Sequence, residues 1–171
     1  MNRVERMRRR RRKRWIRTGV FTLLLLVILI VWYYFRIQDP LWEERKEFRA
    51  KALKETDLVT VLSVDRFVTD ETGVVVTGKK EDGNVMYVYF GDDETKTLDA
   101  TDAITSEDAV QKVKEKHAQA IILRTMPGMW NEEWVWEVFY KVRTDKGMRH
   151  FYDYYRMTDG KWLETYRLAV R

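Results

Sequence analysis

The chain has 171 residues, with 32 Lys and Arg against 27 Asp and Glu, a formal net charge of +5 and no cysteine. The missing cysteine excludes disulfides, thiol nucleophiles and zinc–thiolate sites. The charge is divided unevenly: residues 1–36 hold eleven Lys/Arg against Glu5 alone, so a total of +5 leaves residues 37–171 five charges negative.

Residues 1–17 form a basic tail, too polar and too like-charged to bury a core. The run Arg8–Arg12 attracts phosphates, either of nucleic acid or of anionic headgroups, where each Lys or Arg contributes about 1 kcal/mol. No aromatic interrupts Arg8–Arg12 to stack on bases, so the headgroup reading is preferred and no nucleic-acid partner is expected. Thr18–Phe35 follows as 18 residues without a charge, between Arg17 and Arg36. As a helix it would be about 27 Å long, against the roughly 30 Å of bilayer hydrocarbon. Trp15 at one end and Trp32, Tyr33, Tyr34 and Phe35 at the other suit the membrane–water boundary. A cleaved signal would have an apolar core of about 7–15 residues and a small-x-small cleavage site, where bulky aromatics stand here. A soluble helix apolar on every side would need a larger surround than the rest of the chain offers. Residues 18–35 are therefore read as a retained single-pass transmembrane helix. Basic residues beside a spanning helix stay on the cytoplasmic side, which places the N-terminus inside and everything after Arg36 outside the cell membrane.

Beyond the anchor the elements come in a repeated order. Asp39 reads as an N-cap with Pro40 at the first helical position, and Leu41–Thr56 as a helix with Leu41, Phe48 and Ala52 on one face. Its start lies within about four residues of the anchor's end, so the first folded part is expected near the lipid surface. Strands are expected at Leu58–Val68, Gly73–Gly78 and Val85–Phe90, with an Asp82-Gly83 hairpin turn, and a short one at Lys96–Leu98. The order then restarts. Thr105 and Asp108 make a capping box with Asp in place of Glu or Gln, opening a helix to about His117. Gln119–Thr125 is expected as a strand, Pro127–Asn131 as a loop, and Glu133–Arg143, Arg149–Met157 and Trp162–Val170 as strands joined by glycine turns. In Glu133–Arg143, Trp134, Trp136, Val138, Tyr140 and Val142 share one face, while Glu133, Glu137, Lys141 and Arg143 share the other. The fold class is thus α+β: the anchor, then two small modules, 38–101 and 102–171, each a helix on an antiparallel sheet. Each is small for independent stability, so the two are expected to pack together.

The second copy resembles the PepSY-like (cystatin-like) module in ITSEDAVQKVKEK, WVWEVFYKV and FYDYYRMTDGKWLETYRL. With the basic tail and the anchor, the whole order resembles the TseB-like (YpmB-type) cell wall elongation regulators of Gram-positive bacteria. One departure is Arg156, four residues before Gly160, where PepSY sequences often carry Asp. The resemblance implies an extracytoplasmic regulator of peptidoglycan elongation whose partner is a membrane-bound penicillin-binding protein. It equally allows a peptidase inhibitor or chaperone-like module docking by a strand edge or loop.

The residues themselves offer little catalytic chemistry. His117 and His150 lie in no ligand spacing, Ser63 and Ser106 lie in no nucleophile motif, and no glycine-rich phosphate loop follows a strand. Asp92-Asp93-Glu94 and Glu132-Glu133 read as solvated turns, not as a calcium loop. No enzyme, cofactor, metal or small-molecule substrate is expected; a carboxylate hydrolase built on Glu133 and Glu137 is the rival. The second copy is instead loaded with aromatics. Phe139 falls on the charged face of its strand, and Met129 and Trp130 stand at the tip of the expected loop. Met129, Trp130 and Phe139 are the candidate partner contacts, because aromatic residues dominate interface hot spots. The alternative for Trp130 is a structural plug at the sheet edge or in the seam between the copies.

Overall fold

A computed structural model describes residues 3–68, 72–92, 94–145 and 147–169, and of residues 3–18 and 35–41 the backbone alone. One helix, α1 (Arg3–Glu55), runs without the start expected at Gln38-Asp39-Pro40. Proline's fixed φ is itself helical, and inside a helix its costs are one lost backbone hydrogen bond and crowding of the carbonyl one turn earlier. The capping role expected of Asp39 and the placement of Leu41 concern side chains outside the described residues. From Val20 to Tyr34 every large apolar side chain is exposed. Among the described residues no helix is long and apolar enough to cross a membrane, and the described side chains of the apolar run end at Gly19 and Tyr34.

The chain divides into two units, 1–46 and 47–171. The second contains two antiparallel four-stranded sheets. β1 (Leu58–Val68), β2 (Thr72–Lys80), β3 (Val85–Phe90) and β4 (Thr95–Asp99) form the first in that order. After a 3-10 turn at Ala100–Asp102 comes α2 (Ser106–Lys116). β5 (Ile121–Trp130), β6 (Glu133–Thr144), β7 (Gly147–Arg156) and β8 (Trp162–Arg167) then form the second sheet. The α2 start is the expected capping box: the Thr105 hydroxyl accepts from the Asp108 N–H, and Asp108 accepts from the Thr105 N–H. The Thr105 hydroxyl also donates to the Asp108 carboxylate at 2.7 Å, and that bond first, then the one from the Thr105 N–H, holds the carboxyl below its ordinary range.

The first sheet is covered on both faces, which explains why GVVVTG and VMYVYF run apolar instead of alternating. On one side Val74, Val76, Met86, Val88 and Phe90 pack with Ala52 and Phe48 of α1, and Lys51 lies over the Phe90 ring at 4.7 Å. On the other, Val75, Phe67 and Tyr89 join Met126, Met129, Val135 and Tyr154 of the second sheet. Tyr87 meets Trp136 edge-on, with ring centroids 5.7 Å apart. On the second sheet α2 lays Ala109 and Val113 on Trp136, Val138, Tyr140, Tyr155 and Met157.

Two strand limits differ from expectation by three residues or more. β8 ends at Arg167. β5 does not stop at Thr125; it continues through Pro127 and Gly128, which pair with Trp136 and Val135, as far as Trp130. An edge strand tolerates proline because one of its sides has no ladder to serve. The reversal falls instead on Asn131 and Glu132, whose φ values of 48° and 62° fit a two-residue hairpin turn with both residues left-handed. Gly128 is required by packing: a Cβ there would run into the Phe67 ring. Gly128→Ala should therefore lower stability by about 1–3 kcal/mol through overpacking, read from the denaturant midpoint. Combining it with Phe67→Leu should cost less than the sum of the two single changes; strict additivity would mean the two residues do not meet.

Candidate functional site

Cross-strand register turns the outer face of the second sheet into rows. Reading from β5 to β8, one row is Met126, Glu137, Tyr154 and Glu164; the next is Arg124, Phe139, Tyr152 and Tyr166. A third is Ile121, Lys141 and His150, and a fourth is Arg143 and Met148. The first row is structural. Glu137 was placed on the charged face of its strand, yet it is 5 % exposed. It accepts from Arg124 at 2.7 Å and from the Tyr154 hydroxyl at 2.9 Å. A buried carboxylate is stable only with such partners, and the bond to a charged donor is the stronger of the two. The alternation of β6 misleads here because its second face is covered at this end by the first sheet.

Beyond that row the face opens. Phe139 stacks on Tyr152, with centroids 4.4 Å apart and planes 15° apart, and on His150 at 5.8 Å. Tyr166, half exposed, meets Tyr154 edge-on at 5.8 Å. Ile121 and Met148 add exposed apolar surface, and Arg124, Lys141 and Arg143 rim the patch. The strand acids of this face, Glu133, Glu137 and Glu164, lie in the first row or beyond it on the side away from Phe139. The open half is thus a rigid aromatic strip with a cationic rim.

The three candidate contacts are not brought together. Phe139 is the centre of the strip. Met129 is 5 % exposed and packs in the cluster that joins the two sheets, so the exposed loop tip expected for it does not exist. Trp130, the last residue of β5, is half-buried at the margin of that cluster with its ring 5.5 Å from Tyr154. This is the plug alternative, and it follows from the strand running five residues past Thr125. Sequence reasoning missed Tyr152 and Tyr166, which become neighbours of Phe139 only through register.

The inner face holds the sheet's second buried acid. Asp153, 1 % exposed, accepts from the hydroxyls of Tyr140, Tyr155 and Thr165, with Lys116 of α2 at 3.6 Å. Burial first, and then the neighbouring carboxylate, pushes the phenols of Tyr140, Tyr154 and Tyr155 above their ordinary range. Arg156 bonds Glu133 and Asp159, which ties the start of β6 to the β7–β8 turn. The serine hydroxyls are engaged locally: Ser63 donates to Asp65 and Ser106 to Glu107. His117 stacks on Phe151 and lies tilted against Tyr140. Among the described residues no group of three or more His, Asp or Glu could hold a metal ion.

Comparisons with known proteins agree with one another. Residues 49–91, from the end of α1 through β3, match the family model described as the cell wall elongation regulator TseB-like domain. The chain is 29 % identical over 159 residues to the "Probable cell wall elongation regulator TseB" of Bacillus subtilis (strain 168), covering 90 % of this chain and 97 % of that protein. It is also similar to the solved structure of the YpmB protein from Bacillus subtilis, with TM-score 0.60 and 26 % identity over 70 % of this chain and 93 % of that one.

The raised phenols make an alkaline prediction. A phenol whose folded pKa lies above its unfolded value contributes stability that is complete below about pH 10 and lost as pH rises further. Tyr140, Tyr154 and Tyr155 should therefore ionise only as the protein unfolds, seen as phenolate absorbance rising together with loss of near-ultraviolet dichroism. Full ionisation of all tyrosines in a still-folded protein would contradict the Asp153 and Glu137 networks.

Proposed function

We propose that this TseB/YpmB-type chain is a membrane-anchored, extracytoplasmic interaction protein of the Gram-positive envelope that regulates peptidoglycan elongation by binding a penicillin-binding protein. The observation that carries the reading is the aromatic strip Phe139, Tyr152, His150 and Tyr166. The Phe139, Tyr152 and His150 rings are held by stacking, with Tyr166 beside them, on a sheet whose other face carries α2, as interface anchors do. The similarity to TseB supports the general role in cell wall elongation and a non-catalytic, regulatory protein. The charge-free run 18–35, exposed from Val20 to Tyr34, and the basic tail before it support the anchor and its orientation. The first module, taken from residue 38, begins within about four residues of that run. The modules, taken as 38–101 and 102–171, are then tethered to the membrane, which raises their effective concentration for another membrane-bound protein.

The PepSY-type inhibitor or chaperone alternative would dock by adding a strand to a sheet edge. Three of the four edges are irregular: β1 carries two register breaks against β2, β5 one against β6, and the β7–β8 pairing one, while β4, regular against β3, is only five residues long. Bulges of this kind turn an edge away from further pairing, so docking by a face is favoured. The hydrolase rival needs a pair of available carboxyls across a cleft, whereas Glu137 is held by Arg124 and Tyr154, and Glu133 by Arg156.

A photo-crosslinking amino acid at position 139, introduced into the full chain in living cells, should capture a membrane-bound enzyme of peptidoglycan synthesis. The same probe at Val76, buried in the first sheet, should capture none. Recovery of cytoplasmic proteins alone would contradict both the topology and the role.

A further inference from the structure

We propose a second binding site, on the inner face of the second sheet at its β6–β7 turn end, for a small zwitterion of the amino-acid class, in which a carboxylate lies beside an amine or amide N–H. The cavity there measures about 320 Å³ and is lined by Thr144, Asp145, Arg149, Phe151 and Arg167. That is the lower end of the range for small-molecule sites and has room for one or two amino-acid residues.

Register fixes the arrangement. Arg149 lies two residues before Phe151 on β7 and shares its face, and Arg167 pairs with Phe151 across the β7–β8 ladder. Two guanidinium groups therefore flank one ring. That ring is held in place by Tyr140, with centroids 5.6 Å apart, and by His117, 6.4 Å away and 18° from parallel. It is a fixed apolar wall.

Two other arginines of this sheet are committed: Arg124 to Glu137, and Arg156 to Glu133 and Asp159. Neither Arg149 nor Arg167 takes part in an ion pair among the described residues. The Thr144 hydroxyl already donates to the Gly147 carbonyl at 2.9 Å, so the arginines are the cavity's charged donors. A guanidinium fork matches a carboxylate through two parallel hydrogen bonds. Asp145, in the same lining, repels a dianion such as phosphate but accepts from an N–H next to a carboxylate. Two cations, one acid and an aromatic wall together suit an amino acid or the end of a short peptide. The site lies on the opposite face from Phe139, so it stands or falls independently of the partner surface.

The test is calorimetric titration of the full chain in detergent micelles with alanylalanine, alanine, acetate and inorganic phosphate. Alanylalanine or alanine should saturate and bind at least about tenfold more tightly than acetate, the better of the two showing whether a peptide end or a free amino acid is preferred. Arg149→Gln and Arg167→Gln should each weaken that binding by about tenfold, the loss expected for a charge-assisted bond. Asp145→Asn should reduce it to the acetate level, while Arg143→Gln, on the outer face, should leave it unchanged. All four variants should keep the parent melting temperature. Phosphate binding most tightly, zwitterions binding no better than acetate, or indifference to both inner arginine changes would each overturn the assignment. A shared fall in melting temperature in Arg149→Gln and Arg167→Gln would also overturn it, by making the two arginines part of the packing.

Discussion

The arrangement of residues 47–171 depends on the seam where Phe67 lies over Gly128 and the two sheets share one apolar cluster. A four-stranded sheet with one helical turn-pair of cover has too little apolar surface to offset the entropy of ordering its chain. The first sheet meets this by burying both faces, one under Phe48 and Ala52, the other against Met126, Met129, Val135 and Tyr154. The second sheet gains a cover for one end of its outer face. Because that cover is partial, the same seam divides the outer face into a structural half around Glu137 and Tyr154 and an open half around Phe139.

The open half is held rigid from beneath. Asp153 and Glu137 lie on opposite faces of the second sheet, and each is anchored by tyrosine hydroxyls from β6 or β7. Buried acids satisfied in this way fix strand register, because a slip would leave a carboxylate without donors at the cost of a buried unpaired charge. A strip of stacked rings on such a base loses little side-chain freedom on binding, and that economy distinguishes an anchor from an exposed aromatic.

Much of this was legible in the sequence. The capping box at Thr105, the Asp82-Gly83 hairpin, the eight strands and the repeated order follow from local rules that act within a few residues. What was not legible depends on partners far along the chain. Pro127-Gly128 reads as a loop because these residues usually break strands, yet an edge strand admits the proline and the Phe67 ring demands the glycine. Once β5 runs on to Trp130, Met129 is buried and Trp130 becomes a seam residue. Glu137 reads as part of a charged face because alternation reports which face a residue is on, and not what covers that face. Phe139 was singled out for breaking the charged pattern, but Tyr152, His150 and Tyr166 emerge beside it only when register is known. Asp39-Pro40 reads as a helix start by local preference, while α1 passes through it.

The central claim is that the two halves of one sheet face have different roles, the covered half structural and the open half for binding. Paired substitutions in the full chain, with melting temperature and affinity for the membrane-bound partner measured on the same samples, test it most directly. Phe139→Ala should reduce affinity by about tenfold or more, as expected of a hot-spot ring, and leave melting nearly unchanged. Trp130→Ala should do the reverse, lowering the melting temperature while the folded fraction still binds. Loss of binding from Trp130→Ala at unchanged melting temperature, with Phe139→Ala binding normally, would contradict the account.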